Sequence, residues 1–150
     1  MSFCVIASPV GRLRIDADNT GICGVNRTEE ALCSPEEPLL ADCARQLAEY
    51  FSGARRVFDL PLHPVGTAFR MKVWSELQQI PYGQTITYGE LARRVGNARG
   101  SRAVGGANHH NPISIIIPCH RVIGADGSLT GYGGGLDMKE ALLRLEGSLI

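Results

Sequence analysis

Thr85-Ile86-Thr87-Tyr88-Gly89-Glu90-Leu91-Ala92-Arg93-Arg94-Val95-Gly96 is the stretch on which the reading of the fold turns. Thr87 and Glu90 stand at capping-box spacing, which predicts a helix opening at Thr87. Leu91, Ala92 and Val95 then share an inner face, and Gly96 supplies the left-handed residue that stops the helix. A second helix is predicted from about Ser101 to His109. Helix, glycine-containing turn and helix are the parts of a helix-turn-helix, although a packed helix hairpin has the same layout.

Working outward, Phe69, Val73, Leu77 and Ile80 mark one face of a preceding helix that ends at Pro81-Tyr82-Gly83, with Trp74 read as core. The Leu60–Gly66 stretch, broken by Pro61 and Pro64, reads as a linker. Before it lie three short strands, Phe3–Ala7, Leu13–Ala17 and Ile22–Asn26, and a helix over Leu39–Phe51 with Leu40, Cys43, Ala44, Leu47 and Phe51 on one side. Downstream, Ile113–Ile117 is an apolar run expected to be a buried strand blocked by Pro118. A Gly-rich loop (Gly131 to Gly135) follows, then a helix from an Asp137 N-cap to Gly147 that faces Met138, Ala141, Leu142 and Leu145 inward. The fold class is α/β: a small N-terminal strand-plus-helix lobe (1–64) in a supporting role, then a mainly helical C-terminal domain (65–150) containing the helix-turn-helix.

At 150 residues, 44% hydrophobic and 20% charged, the composition is that of a globular protein. No apolar run approaches the ~20 residues of a membrane helix, and residues 1–15 lack the layout of a secretory signal. Five cysteines, an odd number, favour a reducing compartment and a free thiol, hence a cytoplasmic protein. The net charge is zero, but unevenly spread. Residues 1–64 hold 6 Lys/Arg and 9 Asp/Glu (−3), and residues 65–150 hold 9 and 6 (+3). From Gly83 to Arg121, Arg93, Arg94, Arg99, Arg102 and Arg121 face only Glu90, giving +4. A basic face meeting phosphates fits this distribution, and so does an ordinary solvated face.

Chemistry concentrates in Pro118-Cys119-His120-Arg121-Val122. A Cys beside a His is common by chance, and a free Cys is as often a small buried hydrophobe as a reagent. In an extended segment the two side chains would also point apart. Against that, Pro118 forces a turn that can present Cys119 to a cleft, and the charge of Arg121 favours a thiolate. His120 and Glu146 have the chemistry of a base and its orienter, with the proton moving directly or through water. Gly100, Ser101, Ala103, Gly105 and Gly106 make the second helix slim, which suits close approach to a narrow groove or simply to a neighbouring helix.

Residues 67–147 resemble the C-terminal domain of the O6-alkylguanine-DNA alkyltransferases, the methylated-DNA–protein-cysteine methyltransferase family. Thr85-Ile-Thr-Tyr88-Gly-Glu-Leu-Ala is similar to the first helix of the family's helix-turn-helix, and Ser101-Arg-Ala-Val-Gly-Gly-Ala107 to its recognition helix. Asn111-Pro112 and Ile115-Ile-Ile-Pro-Cys-His-Arg-Val122 resemble the active-site signature, with Gly131-Tyr132, Gly134-Gly135-Leu136 and Leu145-Glu146-Gly147 completing the set. Ser8-Pro9-Val10-Gly11-Arg12-Leu13 resembles the family's opening motif.

The resemblance implies that Cys119 accepts an alkyl group once, without regeneration. It implies that His120 takes the thiol proton through water, that Glu146 orients this His, and that Asn111 holds the active-site turn. Tyr88 would donate to guanine N3, Val122 would accept from the guanine amino group through its carbonyl, and the Tyr132-Gly133-Gly134 loop would close over the flipped base. Arg102 would fill the gap in the duplex, with Ser101, Ala103, Gly105 and Gly106 lining the minor groove. The partner implied is double-stranded DNA containing O6-alkylguanine, met by a monomer with no cofactor, no metal and no membrane.

The chain departs from the family's pattern in places. Ser114 stands where many members carry a Pro that packs a benzyl substituent, so methylguanine is expected to react better than benzylguanine. Gly133 replaces a Ser and keeps only the backbone N–H. A structural zinc known in some members would need Cys4, Cys23 and His63, without a convincing fourth ligand. Two other functions compete: a non-catalytic module of the alkyltransferase-like kind, which lacks the cysteine, and a cysteine hydrolase, which needs an oxyanion hole.

Overall fold

The structure, a computed structural model, describes residues 1–97 and 99–149. They form two compact units that divide between Val65 and Gly66.

In the first unit β1 (Ser2–Ile6), β2 (Leu13–Ala17) and β3 (Ile22–Arg27) make an antiparallel sheet in the order β1-β2-β3. Leu13, Ile15 and Ala17 are buried while Arg14 and Asp16 are not, the period-two alternation of a strand with one covered face. That face is covered by α1 (Pro38–Phe51), which starts on a proline that needs no N–H partner there. Its buried stripe is Leu40, Cys43, Gln46, Leu47 and Tyr50, so Gln46 and Tyr50 replace the expected Ala44 and Phe51. Gln46 is tolerated inside because its amide and the Asp59 backbone exchange two hydrogen bonds of 2.9 Å.

The predicted linker is partly sheet. Ile22 N–H donates to Pro61 O at 2.8 Å and His63 N–H to Ile22 O at 2.7 Å. The approach is so close that a Cβ on Gly21 would lie 2.5 Å from Pro61 O. Two prolines flanking one bridging residue hid that pairing from a composition-based reading.

The second unit contains α2 (Ala68–Leu77), β4 (Ile86–Thr87), α3 (Tyr88–Arg94), α4 (Ser101–His109), β5 (Val122–Ile123) and α5 (Leu136–Leu145). Thr87 Oγ1 accepts the Glu90 N–H, and Gly96 at φ 82° ends α3. The box is only half formed, because the Glu90 carboxylate pairs with Arg93 and Arg94 instead. β4 runs parallel to β5, with Ile86 opposite Val122 and Thr87 opposite Ile123. This two-residue ladder fixes the start of α3 beside the segment that follows Cys119. Trp74, in the core as expected, ties α2 to α4 by donating Nε1–H to Ala107 O at 2.8 Å.

Two expectations for this unit are corrected. Ile113–Ile117 is buried but is a turn, closed by Ile117 N–H to Ile113 O (3.0 Å), with Ile115 at φ 73°. A short apolar run carries no period that separates a strand from any other buried segment. A β-branched residue in the left-handed region costs roughly 1–3 kcal/mol, an amount that burying the Ile115 side chain offsets at ~1.5–3 kcal/mol. The second correction concerns α5, whose N-cap is Gly135 (φ 104°), with Asp137 in the first turn. Its inner stripe is accordingly Met138, Lys139, Leu142 and Leu143, and Ala141 is exposed. No helix among the described residues is long and apolar enough to cross a membrane.

Removing the Thr87 cap by Thr87→Ala should cost about 1 kcal/mol. A thermal melt should then drop by roughly 2–4 °C, while Thr87→Ser should match the parent chain.

Candidate active site

Pro118 leads directly into a single 3-10 turn, Cys119–Arg121, so Cys119 and His120 are not in an extended segment as expected. The turn is built from its backbone outward. Asn111 Nδ2 donates to Ile117 O at 2.8 Å, and Asn111 Oδ1 accepts Ile113 N–H at 3.0 Å, so one side chain ties the two ends of the buried bend. Asn108, on the inner face of α4, donates Nδ2–H to Cys119 O at 3.2 Å.

Behind the turn lies a buried ionic cluster. His120 Nε2 meets Glu146 Oε2 at 2.7 Å, both side chains being inaccessible to solvent. Arg121 forks onto the same carboxylate, Nε to Oε1 at 2.8 Å and Nη2 to Oε2 at 3.0 Å, and gives Nη1–H to Ile80 O at 2.7 Å. A carboxylate held in an arginine fork only accepts, so Nε2 of a neutral His120 carries the hydrogen and Nδ1 the lone pair. That Nδ1 is buried and has no protein partner among the described residues.

Cys119 is only 4% exposed. Burial pushes its thiol up to about 11, against the pull of Asn111, the charge of Lys139 and Tyr132. Burial also lowers His120 below its ordinary value of 6.5, while Glu146 pulls it back up. The resting pair is therefore a thiol and a neutral imidazole, not the thiolate expected beside Arg121. The charge of Arg121 is taken up by Glu146, which leaves little field for the sulfur.

Around the sulfur the structure brings together Tyr88, Tyr132, Val122 and a residue that sequence reasoning missed, Lys139. Lys139 Nζ is fully buried and donates to Val122 O (2.6 Å) and Thr130 O (2.9 Å), and burial lowers its pKa to about 8. Tyr88 Oη donates to the same Thr130 carbonyl at 2.8 Å, so both side chains fasten the loop before Gly131. Burial raises the Tyr88 pKa, helped by the nearby Cys119 sulfur. The glycine loop packs tightly here. A Cβ on Gly134 would lie 2.9 Å from the Tyr132 ring, and one on Gly133 3.0 Å from His109 O.

The outer face of α4 exposes Ser101, Arg102, Ala103 and Gly106, and Arg102 makes no ion pair among the described residues. Gly105 belongs elsewhere: it is half-buried and turned toward Tyr88, where an added Cβ would sit 3.9 Å from the ring. The basic face is thinner than its sequence count of +4 because Arg121 is internal; Glu90, which pairs with both Arg93 and Arg94, is already in that count. Toward a metal, Cys4 is buried in the sheet core with its thiol pushed up to about 11, and His63 Nδ1 bonds Asp18 Oδ2 at 2.6 Å. No group of three or more metal-binding side chains forms among the described residues.

Comparison with known proteins points to one family. Residues 68–148 match the 6-O-methylguanine DNA methyltransferase DNA-binding domain, and residues 1–64 its ribonuclease-like domain. A methylated-DNA–protein-cysteine methyltransferase of Methanosarcina acetivorans is 48% identical over 99% of both chains. Another, of Mycolicibacterium paratuberculosis, is 46% identical over 97% of this chain and 92% of its own. Among solved structures, the O6-methylguanine methyltransferase of Mycobacterium tuberculosis superposes with a TM-score of 0.88 at 43% identity, covering 99% of this chain and 93% of that one. The same organism's protein crystallised in complex with DNA gives 0.89 at 44% identity, over 97% and 92%.

A thiol near 11 sets the order of labelling by a small electrophile. With iodoacetamide at pH 8, peptide mapping should find the exposed Cys33 alkylated well before Cys119. Each unit of added pH should speed Cys119 about tenfold until the fold fails. Equal rates at neutral pH would contradict the buried-thiol assignment.

Proposed function

The chain belongs to the 6-O-methylguanine DNA methyltransferase family, with the enzyme class of a methylated-DNA–protein-cysteine methyltransferase, and from that premise we propose that Cys119 takes the alkyl group of O6-alkylguanine in double-stranded DNA by a single, irreversible displacement. The observation that carries this reading is the His120 imidazole, held on buried Glu146 through Nε2, with its Nδ1 lone pair otherwise unpartnered, in the residue next to the one cysteine of the second unit.

A thiol pushed up to about 11 is almost un-ionised at neutral pH, so its proton must leave as the sulfur attacks. His120 Nδ1 receives that proton, directly or through a water. The sulfur forms a bond to the alkyl carbon, and the carbon–O6 bond breaks with its electron pair going to the guanine. The purine anion takes a proton at N1 from water while His120 returns the thiol proton to water, and the products are a thioether on Cys119 and an unmodified base. A thioether offers no good leaving group, so each molecule acts once and no cofactor enters the balance.

The alkyl carbon in a duplex is shielded by stacking and pairing, so the base must be turned out at a cost of a few kcal/mol. Arg102, unpaired on the slim outer face of α4, fills the space left behind. Ser101, Ala103 and Gly106 let that helix into a minor groove about 6 Å wide. Gly105 instead gives the Tyr88 ring room against α4. Tyr88 and the Val122 carbonyl hold the extruded base, with Asn111 shaping the bend that presents the sulfur and the Tyr132-Gly133-Gly134 loop above it. The 1–64 unit supports this one as a monomer, and a reducing cytoplasm keeps the thiol ready.

Intact mass after incubation with methylguanine duplex should rise by one CH2, on the Cys119 peptide, and stop at one equivalent. No gain would point to a binding module, and turnover without adduct to a hydrolase. Arg102→Ala should slow transfer from duplex by about 10–100-fold, the kinetic equivalent of a few kcal/mol, and leave transfer from the free base unchanged. Benzylguanine should inactivate the protein more slowly than methylated duplex does.

A further inference from the structure

Asn108 is 1% exposed, on the inner face of α4. Its carboxamide is half used. Nδ2 donates to Cys119 O at 3.2 Å, while Oδ1 is shut off from solvent and has no hydrogen-bond partner among the described residues. A carbonyl only accepts, so the nitrogen must face Cys119, and the oxygen is the end left over. An unpaired buried acceptor is costly, and few occur in folded proteins. The elements assigned to the base gather around this residue. One turn earlier on the same face, a Cβ on Gly105 would sit 3.9 Å from the Tyr88 ring. At the next residue, His109 O would lie 3.0 Å from a Cβ on Gly133 of the glycine loop.

Three backbone carbonyls near the nucleophile are already engaged. Thr130 O receives both Tyr88 Oη–H and Lys139 Nζ–H. Cys119 O receives the Val122 N–H as well as Asn108 Nδ2–H. Val122 O receives Lys139 Nζ–H at 2.6 Å, which leaves one lone pair for a ligand. The base brings its own count. Alkylation at O6 leaves guanine N1 without a hydrogen, so the exocyclic amino group, with two hydrogens, is the only donor on the base. Val122 O has room for one of them.

We propose that Asn108 Oδ1 takes the second amino hydrogen of the extruded base, so that Asn108 selects alkylguanine over alkylated bases without a 2-amino group, O4-alkylthymine among them. The inference rests on the methyl-transfer reading and extends it to specificity. With Nδ2 tied to Cys119 O, the acceptor is fixed before the base arrives, and little ordering is left to do at capture. A base with the amino group satisfies Oδ1. A base without it leaves the oxygen as it is in the resting protein and gains nothing from it. No covalent bond of Asn108 changes in the reaction. The side chain that holds the carbonyl of the attacking residue also reads the base under attack.

The test reads single-turnover methyl transfer to the full chain from two duplexes of one sequence. One carries O6-methylguanine, the other O6-methylhypoxanthine, the same base with hydrogen in place of the amino group. The parent chain should prefer methylguanine by about 100-fold, from two hydrogen bonds at about tenfold each. Asn108→Leu, close in shape, should cut that preference about tenfold. Because the preference is a ratio, any general loss from untying Cys119 O slows both substrates alike and cancels. A preference that the substitution leaves unchanged or raises, or a parent chain that does not distinguish the two bases, would overturn the proposal. A parent chain that takes up no methyl group from either duplex would instead sink the methyltransferase reading itself. If Asn108→Leu does not melt cooperatively, Asn108→Ala goes through the same comparison. As a second readout, O4-methylthymine duplex should gain on methylguanine duplex by the same tenfold factor in the variant.

Discussion

A carboxylate with no access to water, held between a guanidinium fork and an imidazole, is the constraint on which the second unit is built. Glu146 follows the last residue of α5, Arg121 and His120 lie in the turn after Pro118, and Ile80 O, just beyond α2, takes the remaining guanidinium hydrogen bond. Three distant parts of the chain are therefore fastened at one point. Two ions out of water are expensive, and the cluster survives because, among the described residues, each of its buried side-chain polar atoms has a partner except Nδ1 of His120. Taking away Glu146 would strand a buried guanidinium, a loss of roughly 3–5 kcal/mol. The geometry that protects the fold also decides the chemistry, because clamping Nε2 leaves Nδ1 as the only basic nitrogen His120 can offer.

Much of this was legible in the sequence where a local rule is strong. The alternation of Leu13, Ile15 and Ala17, the Thr87 cap and the Gly96 stop each follow from a single backbone requirement, and the folded chain meets them. His120 and Glu146 could be paired because their side chains have the chemistry of a base and its orienter. What stayed hidden depended on tertiary contact. Lys139 was absent from the expected inner face of Met138, Ala141, Leu142 and Leu145, although its spacing with Leu142 and Leu143 puts it on the buried stripe. Nothing in the sequence singled out Asn108, and only the folded chain brings it to Cys119 O. Ile113–Ile117 looked like a strand because apolarity reports burial and says nothing about direction.

Charge shows the same gap between a count and a structure. Five arginines between Gly83 and Arg121 suggested a broad basic face, yet one is internal and two share the single carboxylate of Glu90. A surface with four exposed arginines and one half-buried partner carboxylate releases a moderate number of counterions on meeting a phosphate backbone. Recognition on such a face must lean on shape, and the outer side of α4, nearly bare of side chains apart from Arg102, is suited to close approach. Electrostatics would bring DNA near without holding it firmly, which suits a protein that has to inspect many undamaged bases.

A nucleophile that works once is better kept dormant than poised. With its thiol pushed up to about 11, Cys119 has about one molecule in ten thousand ionised at pH 7, which slows reaction with stray oxidants and electrophiles. The expected thiolate would have been faster on damaged guanine and faster on everything else. On the proposed reading, burial gives selectivity by making activation depend on the site: the proton would move only when a base with a good alkyl carbon is presented and His120 can accept it. The neutral imidazole serves this arrangement, because burial lowers its affinity for the proton and so keeps the pair from ionising in the empty site. On that reading, the low exposure of Cys119, which alone would suit an inert core residue, is what would let a single sulfur remain available until its substrate arrives.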